Sequence, residues 1–128
     1  MEWTGEGILL AVRRHGESAA IIEVFTPDRG RHGGVVRGGA GRKLAPVLQP
    51  GAQVHVTWRA RLSEHAGHYK VEPVRSRLGA LTGDRLGLTG LQTVCALLSQ
   101  VLPERAAYPH VYGATETLLD LMPRTVGW

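Results

Sequence analysis

Val54-His55-Val56-Thr57-Trp58-Arg59-Ala60-Arg61-Leu62 alternates apolar and polar residues along its whole length. Successive side chains of a strand point to opposite faces, so Val54, Val56, Trp58, Ala60 and Leu62 share one face. His55, Thr57, Arg59 and Arg61 share the other, which is basic. This is a half-buried strand with a cationic outer surface, and the flanking sequence reads in the same way. Upstream, Gly7–Val12 carries the apolar run Ile8-Leu9-Leu10-Ala11-Val12, then Arg13-Arg14 and a turn at His15-Gly16. Ser18–Phe25 is β-branched and apolar, and it stops at the turn formers Thr26-Pro27-Asp28-Arg29-Gly30. Gly33–Arg37 gives a third short strand. Gly38-Gly39-Ala40-Gly41-Arg42-Lys43 is too glycine-rich for regular structure, and Leu44–Leu48 suits one helical turn. Downstream of a turn at Gly67, Tyr69–Val74 makes a fifth strand. Five short strands with turns between them predict a small closed barrel of the OB type over residues 1–78.

Beyond the barrel the period changes. Leu88, Leu91, Cys95, Leu98 and Leu102 recur at spacings of three and four, and Val94, Leu97 and Val101 widen the stripe. That pattern predicts a helix buried over much of its circumference, capped by Thr89 with Gln92 and ended by Pro103. Tyr108-Pro109 opens a second helix, with Val111, Thr115, Leu118 and Met122 as its apolar stripe and Pro123 as its stop. Gly79–Gly87 reads as the linker. The expected fold class is therefore mixed β and α: a five-stranded OB-fold barrel followed by a helical hairpin, with residues 79–128 as the start of a helical domain. The abrupt ending, Arg124-Thr125-Val126-Gly127-Trp128, suggests a piece of a longer protein.

The net charge of +4 is unevenly placed. Up to Arg77 there are twelve Lys or Arg against seven Asp or Glu, a balance of +5; from residue 78 onward the balance is three against four, or −1. A basic half joined to a neutral half points to a polyanionic partner for the former. Five of the cations, Arg29, Arg31, Arg37, Arg42 and Lys43, fall between residues 29 and 43 without an acid among them. Arginine contacts phosphate oxygens bidentately, and glycines allow close backbone approach. Arg59 and Arg61 extend that surface if they share its face. With aromatics at 5% and Phe25 and Trp58 on core positions, only Trp3, Tyr69 and Tyr108 are left for base stacking. Binding is expected to be dominated by phosphate electrostatics and to be salt-sensitive.

Other chemistries find little support. The motifs of serine hydrolases, zinc proteases, P-loops and dinucleotide folds are absent, so no catalytic residues are assigned. Cys95 lies within an apolar stripe and reads as an inert packing residue. His65 and His68 beside Glu64 fit solvated loop residues better than metal ligands, and no metal site or cofactor is expected. No apolar run approaches the roughly eighteen residues of a membrane span, and the acidic start lacks the pattern of a signal peptide. No membrane partner is expected, and the location expected is cytoplasmic, with the nucleoid.

The ordered segments Gly7-Ile8-Leu9-Leu10, Gly16-Glu17-Ser18, Thr26-Pro27-Asp28-Arg29-Gly30-Arg31, Val35-Val36-Arg37-Gly38-Gly39 and Leu48-Gln49-Pro50-Gly51 resemble the N-terminal part of the RecO family. Tyr108-Pro109-His110 and its helix are similar more loosely. The resemblance implies an OB-fold packed on a helical domain, in proteins that bind single- and double-stranded DNA and anneal complementary strands in recombinational repair. It implies RecR and single-strand-binding protein as partners. It also places Arg31, Arg37, Arg42 and Lys43 in the family's basic region. Family members run to roughly twice this length, and many hold a cysteine-ligated zinc in the later half, which this sequence does not contain. The expected function is that of a non-enzymatic DNA-binding mediator and annealing protein. A protein–protein adaptor that docks an acidic peptide tail, and an RNA-binding OB-fold protein, remain as alternatives.

Overall fold

A computed structural model describes residues 1–61, 67–77, 81 and 83–126, the last four of these by backbone alone. Five strands, β1 (Glu2–His15), β2 (Ala19–Thr26), β3 (Gly30–Val36), β4 (Gln53–Arg59) and β5 (Gly67–Arg75), precede two helices, α1 (Arg85–Val101) and α2 (Pro109–Val126). The strands close into a barrel in the order β1-β2-β3-β5-β4, an OB-like arrangement. All pairings are antiparallel except β3 with β5, which is parallel through Gly34↔Gly67 and Val35↔His68.

β1 is longer than its apolar run suggested, because Trp3 points inward while Glu2 and Thr4 stay exposed. Its first half pairs with β4 and its second half with β2, and the register shift between Leu9 and Ala11 lets one strand serve both neighbours. The run Ile8-Leu9-Leu10 is unbroken because both of its faces are covered. Leu9 joins Ile22, Val24, Val54, Val56 and Trp58 inside the barrel. Ile8 and Leu10 face outward and pack with Phe25, Leu91, Cys95, Tyr112 and Leu119 under the helices.

The helices depart from the sequence reading in four ways. α1 starts at Arg85, not after a Thr89 cap: Asp84 is the N-cap, and its Oδ1 accepts from Gly87 N at 2.9 Å. The proposed linker Gly79–Gly87 therefore includes the first helical turn; residues 78–80 and 82 lie outside the described ones. Leu97 (57% exposed) and Val101 (72%) do not join the buried stripe, so α1 rests on the barrel along one narrow side. On α2 the buried stripe is Tyr112, Thr115 and Leu119, one position over from Val111 and Leu118. Tyr112 sets that rotation, since its ring meets Phe25 edge-on and its hydroxyl reaches buried Gln53. Finally, α2 continues through Pro123 to Val126: proline's fixed φ is compatible with a helix, although an interior proline costs a backbone hydrogen bond. Pro103 does end α1, leaving Leu102 extended.

Barrel and helices are joined by polar clamps. The Arg77 guanidinium is buried and donates to Gly51 O at 2.8 Å, Gln53 Oε1 at 2.9 Å and Asp120 Oδ1 at 2.9 Å. Gln53 Nε2 in turn donates to Glu6 Oε2 at 2.8 Å and to the Tyr112 hydroxyl at 2.7 Å. Arg75 bridges Glu116 and Asp120 of α2. Gly30 matters to the other contact: it adopts φ 69°, and a Cβ there would come within 2.0 Å of Ala106 O in the α1–α2 connection.

Candidate nucleic-acid interface

Strand register gathers a cluster of cations from separate parts of the chain. Arg14 pairs with Ala20 of β2, and Ala20 pairs with Val36 of β3. Arg37 follows Val36, so Arg14 and Arg37 stand about two strand spacings apart, roughly 10 Å. Arg13, beside them, is on the outer face. Residues 37–48 fold over this mouth of the barrel as hydrogen-bonded turns. Gly38 takes φ 72°, Ala40 N donates to Ser18 O at 2.9 Å, and Leu48 N donates to Leu44 O at 3.0 Å. The expected helical turn at Leu44–Leu48 is thus present, and buried Leu48 pins it to the barrel core. Arg42 and Lys43 are exposed on this pinned segment. Among the described residues, Arg13, Arg14, Arg37, Arg42 and Lys43 have no carboxylate partner. Arg14 donates to the backbone oxygen of Glu17, the acid in the adjacent turn.

The remaining predicted contacts are placed elsewhere. β3 runs between Arg29 and Arg37, so the acid-free stretch is two surfaces and not one loop. Arg29 sits at the opposite end of the β2–β3 hairpin, its guanidinium 5.5 Å from the centre of the Trp3 ring. Arg31 is largely buried; it pairs with Glu23 diagonally across β2–β3 and donates to Leu102 O at 2.8 Å. Ser99 holds the other Glu23 oxygen at 2.8 Å, so Arg31 and Glu23 fasten α1 to the barrel. Arg59 is 74% exposed and pairs with Glu2. It lies on one outward register line with Arg13, through His68, Val35 and Ile21, about four strand spacings or roughly 20 Å around the barrel. Arg61 is exposed beyond β4; Leu62 lies outside the described residues.

Two of the three aromatics expected at the surface are inside. Trp3 and Tyr69 are 8% and 5% exposed and form an edge-and-stack cluster with Trp58 and His32. Burial, reinforced by the charges of Arg105 and Arg29, holds the His32 pKa below the ordinary histidine value. Tyr108 alone of the three is exposed.

A cleft of about 700 Å³ opens on the outer face of β1, β2 and β3. Its floor is Ala11, Ile21, Gly33 and Val35. Arg13 stands at one wall, and Glu104 and Arg105 of the α1–α2 connection form another. That connection is tied to the sheet by Arg105 N donating to Arg31 O at 2.8 Å, with Arg105 at φ 58°. Arg13 belongs both to this cleft and to the cationic mouth. Its place beside Arg14 and Arg37 follows from the strand register and was not legible in the sequence.

Cys95 is fully buried, and burial raises its thiol pKa to about 11, which suits a packing residue rather than a nucleophile. Glu64 and His65 lie outside the described residues; among the described ones no group of His, Cys, Asp or Glu is placed to hold a metal. No described helix is long and apolar enough to cross a membrane.

Residues 1–77, the span of the barrel, match the family model described as the N-terminal part of recombination protein O. The chain belongs to the RecO family. The protein named DNA repair protein RecO from Roseobacter denitrificans is 64% identical over 128 residues, which is 100% of this chain and 53% of that relative. RecO of Ruegeria sp. is 59% identical over the same extent, and RecO of Jannaschia sp. 62% identical over 94% of this chain. The chain spans about half the length of these RecO relatives.

Proposed function

We propose that this chain is the DNA-contacting front half of a non-enzymatic recombination mediator that serves DNA repair and anneals complementary strands. The observation that carries this is the cationic mouth: Arg13, Arg14, Arg37, Arg42 and Lys43, drawn from two strands and a pinned turn, without carboxylate partners among the described residues. Cations that the fold leaves unmatched are available to neutralise phosphates and release their counterions. RecO relatives named for DNA repair support the same reading. Arg29, Arg59 and Arg61 are proposed as outlying phosphate contacts on the flanks. RecR and single-strand-binding protein are proposed partners of the whole protein, with a cytoplasmic, nucleoid-associated location.

The test is fluorescence anisotropy of a labelled single-stranded oligonucleotide across a salt titration. Neutralising five phosphates gives a log–log slope near −3.5, at about 0.7 per contact on single strands. Reversing Arg37, Arg42 and Lys43 to Glu flattens the slope and weakens binding; unchanged binding in that variant rejects the assignment. The adaptor reading has one observation of its own. Leu86, Leu97 and Val101 of α1, and Val111, Leu118 and Leu121 of α2, form a second, exposed apolar stripe on each helix. Failure to bind DNA even at low salt, with binding of an acidic peptide, favours it. Tighter binding to RNA than to DNA of equal length favours an RNA-binding barrel.

A further inference from the structure

We infer that the cleft on the outer face of β1–β3 holds a nucleobase of the bound strand, which makes binding selective for unpaired DNA. This deepens the reading given above and rests on it.

The space is made by small residues. Gly33 faces the cleft, and a Cβ built on it would meet only Ile22 O at 3.8 Å. Neither a positive φ nor a close backbone neighbour requires glycine at this position, in contrast to Gly30. What the missing side chain provides is room, and Ala11 alongside extends it. The volume falls within the range typical of ligand pockets, about 300–1,000 Å³.

The lining matches a flat heteroaromatic ring. Half-buried Ile21 and Val35 offer an apolar floor for its face. Arg13 at one wall and the exposed carboxylate of Glu104 at the other offer a donor and an acceptor for the polar edge of a base. Access comes from the neighbouring charge. Arg13 lies between the cleft and Arg14 and Arg37, so a backbone phosphate held at the mouth delivers the adjoining base to the cleft. Paired bases are stacked within a duplex and cannot enter without being extruded. Phosphate contacts at the mouth serve either form of DNA; the cleft distinguishes them.

The experiment compares a deoxythymidine oligomer with an abasic oligomer of the same length, by anisotropy at one salt concentration and across a salt series. The expected result is about tenfold tighter binding of the base-bearing strand, with equal salt slopes for both. Gly33→Leu fills the cleft and is expected to remove the preference while leaving the slope intact. The oligomer comparison needs no variant, so the outcome does not depend on how the substitution folds. Equal, salt-sensitive binding of both oligomers by the parent protein overturns the cleft assignment and leaves the phosphate-binding mouth standing. An acidic peptide whose binding is lost in Gly33→Leu, without any base preference in the parent, gives the cleft to a peptide and overturns it as well. Absence of binding to either oligomer at low salt rejects the underlying reading along with the cleft.

Discussion

At the mouth of the barrel five cations stand in solvent; at the seam with α2, the Arg77 guanidinium is enclosed by Asp120, Gln53 and the Gly51 carbonyl, with exposed Arg75 paired to Glu116 and Asp120 beside it. Arginines serve in both places, yet the consequences differ. A guanidinium that is buried with its donors satisfied contributes to the fold, and removing it leaves other groups unpaired. An exposed guanidinium with no acid beside it adds little to stability and retains its charge for a partner. Clustered arginines in a sequence therefore do not by themselves mark a binding surface. The acids that the fold brings beside them decide the matter.

The largest expected effect lies at the seam. Arg77→Met strips donors from Gln53 and Gly51 and leaves Asp120 half-exposed with one partner fewer. It should cost about 3–5 kcal/mol in urea unfolding, and the salt slope of DNA binding should stay unchanged. A loss under about 1 kcal/mol would mean that enclosed Arg77 is not structural. Reversal of Arg37, Arg42 and Lys43 to Glu should do the opposite, with stability within about 1 kcal/mol and affinity for single strands down about a hundredfold. Arg31→Leu tests the borderline case, since this cation lies in the acid-free stretch but is held by Glu23 and Leu102 O. A stability loss of about 2 kcal/mol with near-parental DNA binding assigns it to the fold; the reverse assigns it to the interface.

The smallest effect concerns His32, which sits between Trp3, Trp58 and Tyr69 under two arginines. Its pKa in the folded protein lies below that of the unfolded chain, so the unfolded chain takes up the proton first. Stability is full above about pH 6.5 and declines as pH falls below that value. Urea midpoints at about pH 7.5 and about pH 5.5 should differ in that direction, and His32→Phe should narrow the difference.

What was legible beforehand follows from how many partners each feature needs. The β4 alternation and the apolar run Ile8-Leu9-Leu10 are properties of single strands, so the strands of the barrel could be read from them; that the run is covered on both faces depends on the helices and was not. The start of α1 could not, because Asp84 with Gly87 and Thr89 with Gln92 satisfy the same local spacing, and only packing selects between them. The rotation of α2 depended on Tyr112 finding Gln53, 59 positions away. The cationic site divides along the same line. Arg37, Arg42 and Lys43 lie near one another in sequence and stood out there as candidates; Arg13 and Arg14 come beside them only through the pairing of β1, β2 and β3. The cross-strand partner of Arg31 is equally hidden from local pattern.

The pairing of β3 with β5 through Gly34↔Gly67 and Val35↔His68 has a mechanical meaning. Among the described residues these two positions are the whole of the clasp, and both glycines are overlaid by rings, Gly34 by Tyr69 and Gly67 by Trp58. The barrel is in this sense a split ring held by a short catch, not a uniform hoop. A ring of that kind yields at the catch first, and amide exchange should rise there before it rises in the β1–β4 or β2–β3 ladders. Gly34 and Val35 also border the outer cleft, so the catch and the cleft share a wall.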